Sequence, residues 1–267
     1  MMRFSLNGFN GSPWVDGGGD VAAWIKAAAS AGFDAYSPDC STLAAARERG
    51  LAPPAIARLM ADQGIACDVI ANCGMLDGSA QVLDGVRAAA ADAHALGARF
   101  LQVNVGAPTA QARLDAVGAA AAAVDGSGLV LAIEYMPFTP LATLAETVAI
   151  AAAIGTAKAG ALVDIWHHAH DQSGWETLAT APLDAIAYVE FDDALPPLGD
   201  NPVDETMHNR TFPGEGTLPC ARFADALRER GYRGLVSIEV LNRAWRSRDL
   251  AEFARRCIDS SRPFWIG

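Results

Sequence analysis

Four apolar runs in this chain each end abruptly on a carboxylate, and that repeated ending constrains the fold more than anything else in the sequence. They are Leu129-Val-Leu-Ala-Ile-Glu134, Gly160-Ala-Leu-Val-Asp164, Ala185-Ile-Ala-Tyr-Val-Glu190 and Leu235-Val-Ser-Ile-Glu239. An apolar run without alternation reads as a strand buried on both faces, which requires a parallel sheet covered by helices. The acids then stand at the C-terminal ends of their strands.

The rest of the chain repeats the strand-then-helix pattern. Further strands are expected at Arg3 to Leu6, Phe33 to Ser37, Ile65 to Ile70 and Phe100 to Val105. Between the strands, helices are expected from Val21 to Ala29, Pro54 to Gln63, Gln81 to Leu96, Thr109 to Ala123 and Leu141 to Ile154. The C-terminal half continues with helices near Trp175 to Ala179, from Leu218 to Arg230 and from Asp249 to Ser260, with a long polar loop over Asp192 to Gly216. Asp20 reads as a helix cap, and Gly32, Gly64, Gly97 and Gly231 as helix stops. Eight units in 267 residues give about 33 residues each, the cadence of an α/β fold of the single (β/α)8 TIM barrel type. No linker interrupts it, so residues 1–267 are expected to form one domain. A doubly wound open sheet is the alternative, but no GxGxxG follows the first strand.

Composition narrows the partners. A hydrophobic content of 51% supports a sizeable core, and 20 basic against 31 acidic residues give a net charge of −11. Such a surface repels phosphate backbones and anionic lipid, so neither nucleic acid nor membrane is an expected partner. No signal peptide and no apolar run of about 18 residues stands out, which points to a cytoplasmic protein. The five cysteines, Cys40, Cys67, Cys73, Cys220 and Cys257, lack CxxC spacing and read as scattered thiols. The triple glycine Gly17-Gly-Gly19 lacks the Lys-Ser/Thr of a phosphate loop.

In a closed parallel barrel all strand C-termini meet on one rim, where catalytic residues of this fold are found. Glu134, Asp164, Glu190 and Glu239 close four consecutive strands and should converge. Carboxylates within about 4 Å of one another repel by several kcal/mol per pair, so they must bind a cation or stay partly protonated. An oxygen-only set suits a hard or borderline divalent ion, Mn2+ or Mg2+ first, with Ca2+ as a further candidate. Asn7, Asn72 and Asn104 end other strands and are expected on the polar rim. Trp14, Trp166 and Trp245 are candidate pocket walls, although a buried structural tryptophan is commoner. The string His167-His168-Ala-His170 is too compact for all three rings to reach one zinc ion.

Taken together, Glu134 after Ile133, the Val163-Asp-Ile-Trp-His167 segment, the Arg210-Thr-Phe-Pro-Gly-Glu-Gly216 loop and Ser237-Ile-Glu-Val-Leu-Asn242 resemble the xylose-isomerase-like TIM barrels, the sugar phosphate isomerase/epimerase family. The likeness spans nearly the whole chain. It implies a metal held by Glu134, Asp164 and Glu239, with strand seven supplying the remaining ligand. It also implies that His167 hydrogen-bonds a substrate hydroxyl and that Arg210 anchors a substrate oxygen. Strand seven departs from the pattern, because Glu190 stands where His or Gln is usual. A fourth carboxylate would hold the ion more tightly and weaken its Lewis acidity.

The mechanism expected from this set is proton transfer next to a carbonyl, through an enediolate stabilised by the metal. Glu134 and Glu239 would act as acid and base on opposite faces of a sugar, keto-sugar or polyol-like small molecule. If the proton loss expelled a β-hydroxyl instead, the same residues would make a dehydratase or lyase. An abasic-site-type endonuclease shares the barrel but needs more histidine ligands, and a non-catalytic binding barrel is the remaining class. A homo-oligomer is open on the sequence.

Overall fold

The computed structural model describes residues 2–71 and 73–266. Eight parallel strands form the continuous path of its main sheet: β1 (Arg3–Asn7), β2 (Ala35–Ser37), β3 (Val69–Ile70), β4 (Phe100–Val105), β5 (Val130–Glu134), β6 (Ala159–Asp164), β7 (Ile186–Phe191) and β8 (Leu235–Ile238); a ninth, two-residue strand, Met75–Leu76, pairs with β4 off that path. Their hydrogen-bonded order is β2-β1-β8-β7-β6-β5-β4-β3. The two ends of that order meet, since Ala35 pairs with Ala66 and Asp39 with Ala71, both in the parallel sense. The sheet is thereby a ring, and the architecture is the expected (β/α)8 barrel.

Alternation along the strands explains where the acids stand. Side chains two residues apart share one face of a strand. Phe100, Val130, Ala132, Leu162, Tyr188 and Leu235 belong to an apolar cluster distinct from the larger core packed with the helices. Phe100 and Tyr188 lie on non-adjacent strands yet their ring centroids are 5.5 Å apart, so this cluster fills the inside of the barrel. Two residues beyond Ala132, Leu162 and Tyr188 come Glu134, Asp164 and Glu190. One inward face therefore carries an apolar plug and, immediately above it, the carboxylates.

Local chemistry sets the helices. Asp20 Oδ1 accepts from Ala23 N at 3.2 Å, and Gly32 ends the helix Val21–Ala31 at φ +88°, a conformation glycine adopts without a Cβ penalty. Three helices were not expected, the short Ile165–Ala169 among them. Cys40–Glu48 follows β2 directly, because Asp39 turns from strand end to helix cap and accepts from Ser41 N and Thr42 N at 2.9 and 3.1 Å. Pro202–His208 lies inside the segment read as loop, started by Asn201 as cap and Pro202 in its first turn. The last helix runs over Leu250–Trp265, past Pro263, because the apolar stripe Phe253, Cys257, Ile258 and Trp265 stays buried. All five cysteines are free thiols. Among the described residues no helix is long and apolar enough to cross a membrane.

The segment after β7 is held by one buried carboxylate. Asp193 Oδ1 accepts from Leu218 N at 2.7 Å and Ala194 N at 2.8 Å, and Oδ2 from Gly214 N at 3.0 Å and Gly216 N at 2.9 Å. The turn Pro213-Gly-Glu-Gly216 is thus wrapped around an anion, which fixes the antiparallel pair Asp193–Ala194 with Arg210–Thr211. Asp193→Ala strands these amides, each worth about 1–3 kcal/mol when buried and unpaired. A drop in stability of about 3 kcal/mol or more is expected in urea unfolding, and Asp193→Asn should recover only part of it, since its amide nitrogen meets donors. An unchanged midpoint in the alanine variant would remove the clamp from the account.

Candidate active site

The four strand-end acids meet at the C-terminal mouth of the barrel. Asp164, Glu190 and Glu239 each present an oxygen within 4.8 Å of the others, and Glu134, Asp164 and His167 form a second such group sharing Asp164. All are buried, Asp164 and Glu190 completely. Neighbouring strands hold them in place. Glu134 Oε2 accepts from Gln102 Nε2 and Asn104 Nδ2, both at 2.7 Å. Asn7 Nδ2 donates to Glu190 Oε1 at 2.8 Å and to Glu239 Oε1 at 2.9 Å. Asp164 Oδ1 caps the short helix Ile165–Ala169 by accepting from His167 N at 3.0 Å.

Arg210 enters this cluster from the segment between β7 and β8. Its guanidinium is 1% exposed; Nη1 lies 2.6 Å from Asp164 Oδ2 and 3.6 Å from Glu239 Oε2, and it also bonds Asp192 Oδ2. Thr206 holds the other side, accepting from Nε through its carbonyl at 2.9 Å and from Nη2 through its hydroxyl at 2.6 Å. The residue is therefore anchored to the protein on every nitrogen. Thr206, which helps fix it, was not singled out from the sequence.

Electrostatics divides the acids. Burial drives Glu239 up to about 8 even against Arg210, and Glu190 is pushed well above the carboxylate range by burial and then by Glu239, Glu134 and Asp164. Burial also raises Asp192, against the pull of Arg210. For Asp164 burial acts in the same sense, but Arg210, His167 and its hydrogen bonds outweigh it and hold the group low. Glu190 Oε2 is buried with no hydrogen-bond partner among the described residues. Such an oxygen calls for a proton or a cation.

A cavity of about 430 Å³ opens above the acids, lined at its floor by Gln102, Asn104, Glu134, His167, Arg210 and Glu239. His167 Nε2 is 3.3 Å from Glu134 Oε1, and its ring is wedged edge-on between Trp166 and Phe138, at 5.2 and 5.9 Å. Trp14 stands at the mouth, 67% exposed and 6.2 Å from Phe9. Asn7 lies behind the acids rather than on the cavity wall, and Asn72 lies outside the described residues. Trp166 is buried, and Trp245 lines a separate small cavity.

The three histidines point three ways. His170 Nδ1 is 2.8 Å from Trp166 O, while His168 Nδ1 is 2.9 Å from Tyr135 Oη with its ring between Trp175 and Phe223. Burial pushes His168 down to about 4. The unfolded chain takes up this proton near pH 6.5 and the folded one does not, so stability is lost as pH falls from 6.5 towards 4. The loss reaches on the order of 3 kcal/mol at pH 4. Urea midpoints measured across that window should fall more steeply in the wild type than in His168→Gln; parallel slopes would contradict the assignment.

Known proteins carry the same architecture. The zinc-bound crystal structure of the IolI protein superposes with a TM-score of 0.84 at 15% identity, covering 99% of this chain and 98% of that one. D-psicose 3-epimerase, solved in the presence of D-fructose, superposes with a TM-score of 0.74 at 16% identity over 100% of both chains. Among curated proteins, 3-dehydroshikimate dehydratase of Pseudomonas putida is 31% identical over 88 residues, 33% of this chain and 14% of that protein. Inosose isomerase of Halalkalibacterium halodurans is 28% identical over 116 residues, 42% of this chain and 40% of that protein. The chain thus spans well under half the length of each of these curated relatives. Residues 25–260 match the xylose isomerase-like TIM barrel family, to which this chain belongs.

Proposed function

We propose that this barrel is a divalent-metal-dependent isomerase or epimerase of a keto-sugar or polyol-like substrate. The observation that carries the reading is the gathering of Asp164, Glu190 and Glu239 at one buried point, with Glu134 in a second group that shares Asp164, beneath a ligand-sized cavity. The donor set fits a metal: it is oxygen-rich and buried, and Glu190 Oε2 has no partner. Asp164, Glu190, Glu239 and Glu134 would hold the ion, Mn2+ or Mg2+ by the hardness of these donors, with the zinc of the IolI structure as the neighbouring precedent. When bound, such an ion polarises a carbonyl and acidifies the adjacent C–H bond.

The chain's own residues supply the proton handling. Glu134, its outer oxygen fixed by Gln102 and Asn104, directs Oε1 toward the cavity and takes the proton from the carbon next to the carbonyl. Glu239, on the other side of the site, returns a proton there. His167 donates to a substrate hydroxyl, Arg210 steadies Asp164 and Glu239, and Trp14 with Phe9 covers the entrance.

A second reading has its own support. The match to 3-dehydroshikimate dehydratase favours a lyase, in which the same proton abstraction expels a β-hydroxyl as water. Incubation with a ketose or cyclic keto-polyol in D2O separates the two. An isomerase or epimerase incorporates deuterium next to the carbonyl and keeps every oxygen, whereas a dehydratase forms an alkene and loses water. Chelation by EDTA should stop either reaction, and exchange that is indifferent to EDTA would defeat the metal-dependent reading.

A further inference from the structure

Away from its floor the cavity is mostly apolar, with Ser41 and Thr206 as the polar exceptions. Its walls are Phe9, Met136 and Phe138, and its mouth carries Trp14, Met75 and Val203. These last three are 67%, 44% and 45% exposed. They come from three separate segments, following β1, following β3 and in the helix Pro202–His208, and they ring one opening. Exposed apolar side chains gathered around a concave site mark a surface that a ligand covers. Trp14 is also held there: its amide donates to Ser12 Oγ at 3.1 Å, Ser12 Oγ donates to Asp39 Oδ1 at 2.9 Å, and the ring leans on Phe9.

Charge narrows the ligand further. Arg210 is the cavity's only Arg or Lys among the described residues, and Asp164, Asp192 and Glu239 already face its guanidinium. Glu134 and Glu239 make the floor acidic. A carboxylate or phosphate on the substrate would meet no uncommitted cationic side chain. A volume of about 430 Å³ falls in the range that encloses drug-sized ligands, larger than a lone small sugar requires.

We infer that the substrate is an uncharged keto-polyol bearing an apolar substituent, a glycoside in type, with its polyol on the acids and its substituent against Trp14, Met75 and Val203. This rests on the proposed keto-sugar chemistry and specifies what that chemistry acts on. The continuity of the rim with the inner walls favours a ligand that runs from floor to mouth over a protein partner lying flat across it.

Binding by the full chain, followed by calorimetry and independent of turnover, tests this. The probes are phenyl β-D-glucopyranoside, methyl β-D-glucopyranoside and glucose 6-phosphate. Burying a phenyl ring of which about 60 Å² is apolar contact is worth roughly tenfold in affinity. The phenyl glycoside should therefore bind at least about tenfold more tightly than the methyl glycoside, Trp14→Ala should bring that ratio close to one, and glucose 6-phosphate should bind more weakly than either. Equal affinity for the two glycosides, a ratio unmoved in Trp14→Ala, failure of both to bind, or tighter binding of the phosphate would each overturn the inference. So would a dimer that Trp14→Ala converts to monomer, since the rim would then be covered by a second copy. Deuterium exchange on a simple ketose reports separately on the proposed chemistry, so failure of the substrate reading is told apart from failure of that chemistry.

Discussion

Glu134→Gln is expected to lower turnover by about a thousandfold or more while the barrel stays folded. The side chain emerges from β5 with Oε2 bonded to Gln102 and Asn104, and glutamine can keep both contacts by turning its carbonyl oxygen toward them. What it cannot do is accept a proton from carbon. Its other end, now an amide, faces the cavity beside His167 at the place where the carboxylate stood 3.3 Å from the ring. The change is isosteric, so circular dichroism and the melting temperature should alter little. Metal content measured alongside distinguishes a lost base from a lost ligand. Full activity in this variant would take Glu134 out of the proton-transfer role.

Arg210→Met should produce the largest loss of stability. The guanidinium is fully enclosed and faces Asp164, Asp192 and Glu239, so removing it leaves buried carboxylates without their counter-charge. Breaking a buried pair from one side typically costs about 3–5 kcal/mol, on the order of 10 °C in melting temperature for a chain of this size. Arg210→Lys should rescue only part, because one ammonium cannot serve Asp164, Asp192 and Thr206 together. Adding a divalent ion should recover some of the loss by supplying positive charge to the same acids. A methionine variant that melts within a degree of the wild type would show that protonation of Asp192 and Glu239 balances the cluster without the arginine.

The parts of this site that could be read from sequence are those written in strand grammar. Glu134, Asp164 and Glu190 were visible because apolar runs stop on them, and their meeting follows from alternation in a closed parallel sheet. Gln102 had the same kind of signal, lying two residues before Asn104 on β4 and hence on the same face, but its polar type inside an apolar run drew no attention. Asp192 and Asp193 form an adjacent pair with opposite duties, one on Arg210 and the other on the backbone of the Gly214 turn, and no local pattern separates them. The helix Pro202–His208 carried a readable start at Asn201 and Pro202, hidden by its polar surroundings. Cys40–Glu48 was missed because one aspartate both ends the approach of β2 and begins the helix.

Asn7 is followed by Gly8, the pairing in which an asparagine amide is most readily attacked by the next backbone nitrogen and converted to a carboxylate. In the folded chain that reaction is obstructed. The amide is committed to Glu190 and Glu239, Oδ1 accepts from Phe9 N at 2.9 Å, and Gly8 is packed so closely that a Cβ there would lie 2.8 Å from Ser37 O. A nascent or partly unfolded chain has no such protection. Deamidation at that stage would set a fresh negative charge against two acids that need a donor, so chemical ageing before folding is complete would be locked into the acid cluster at the mouth of the barrel.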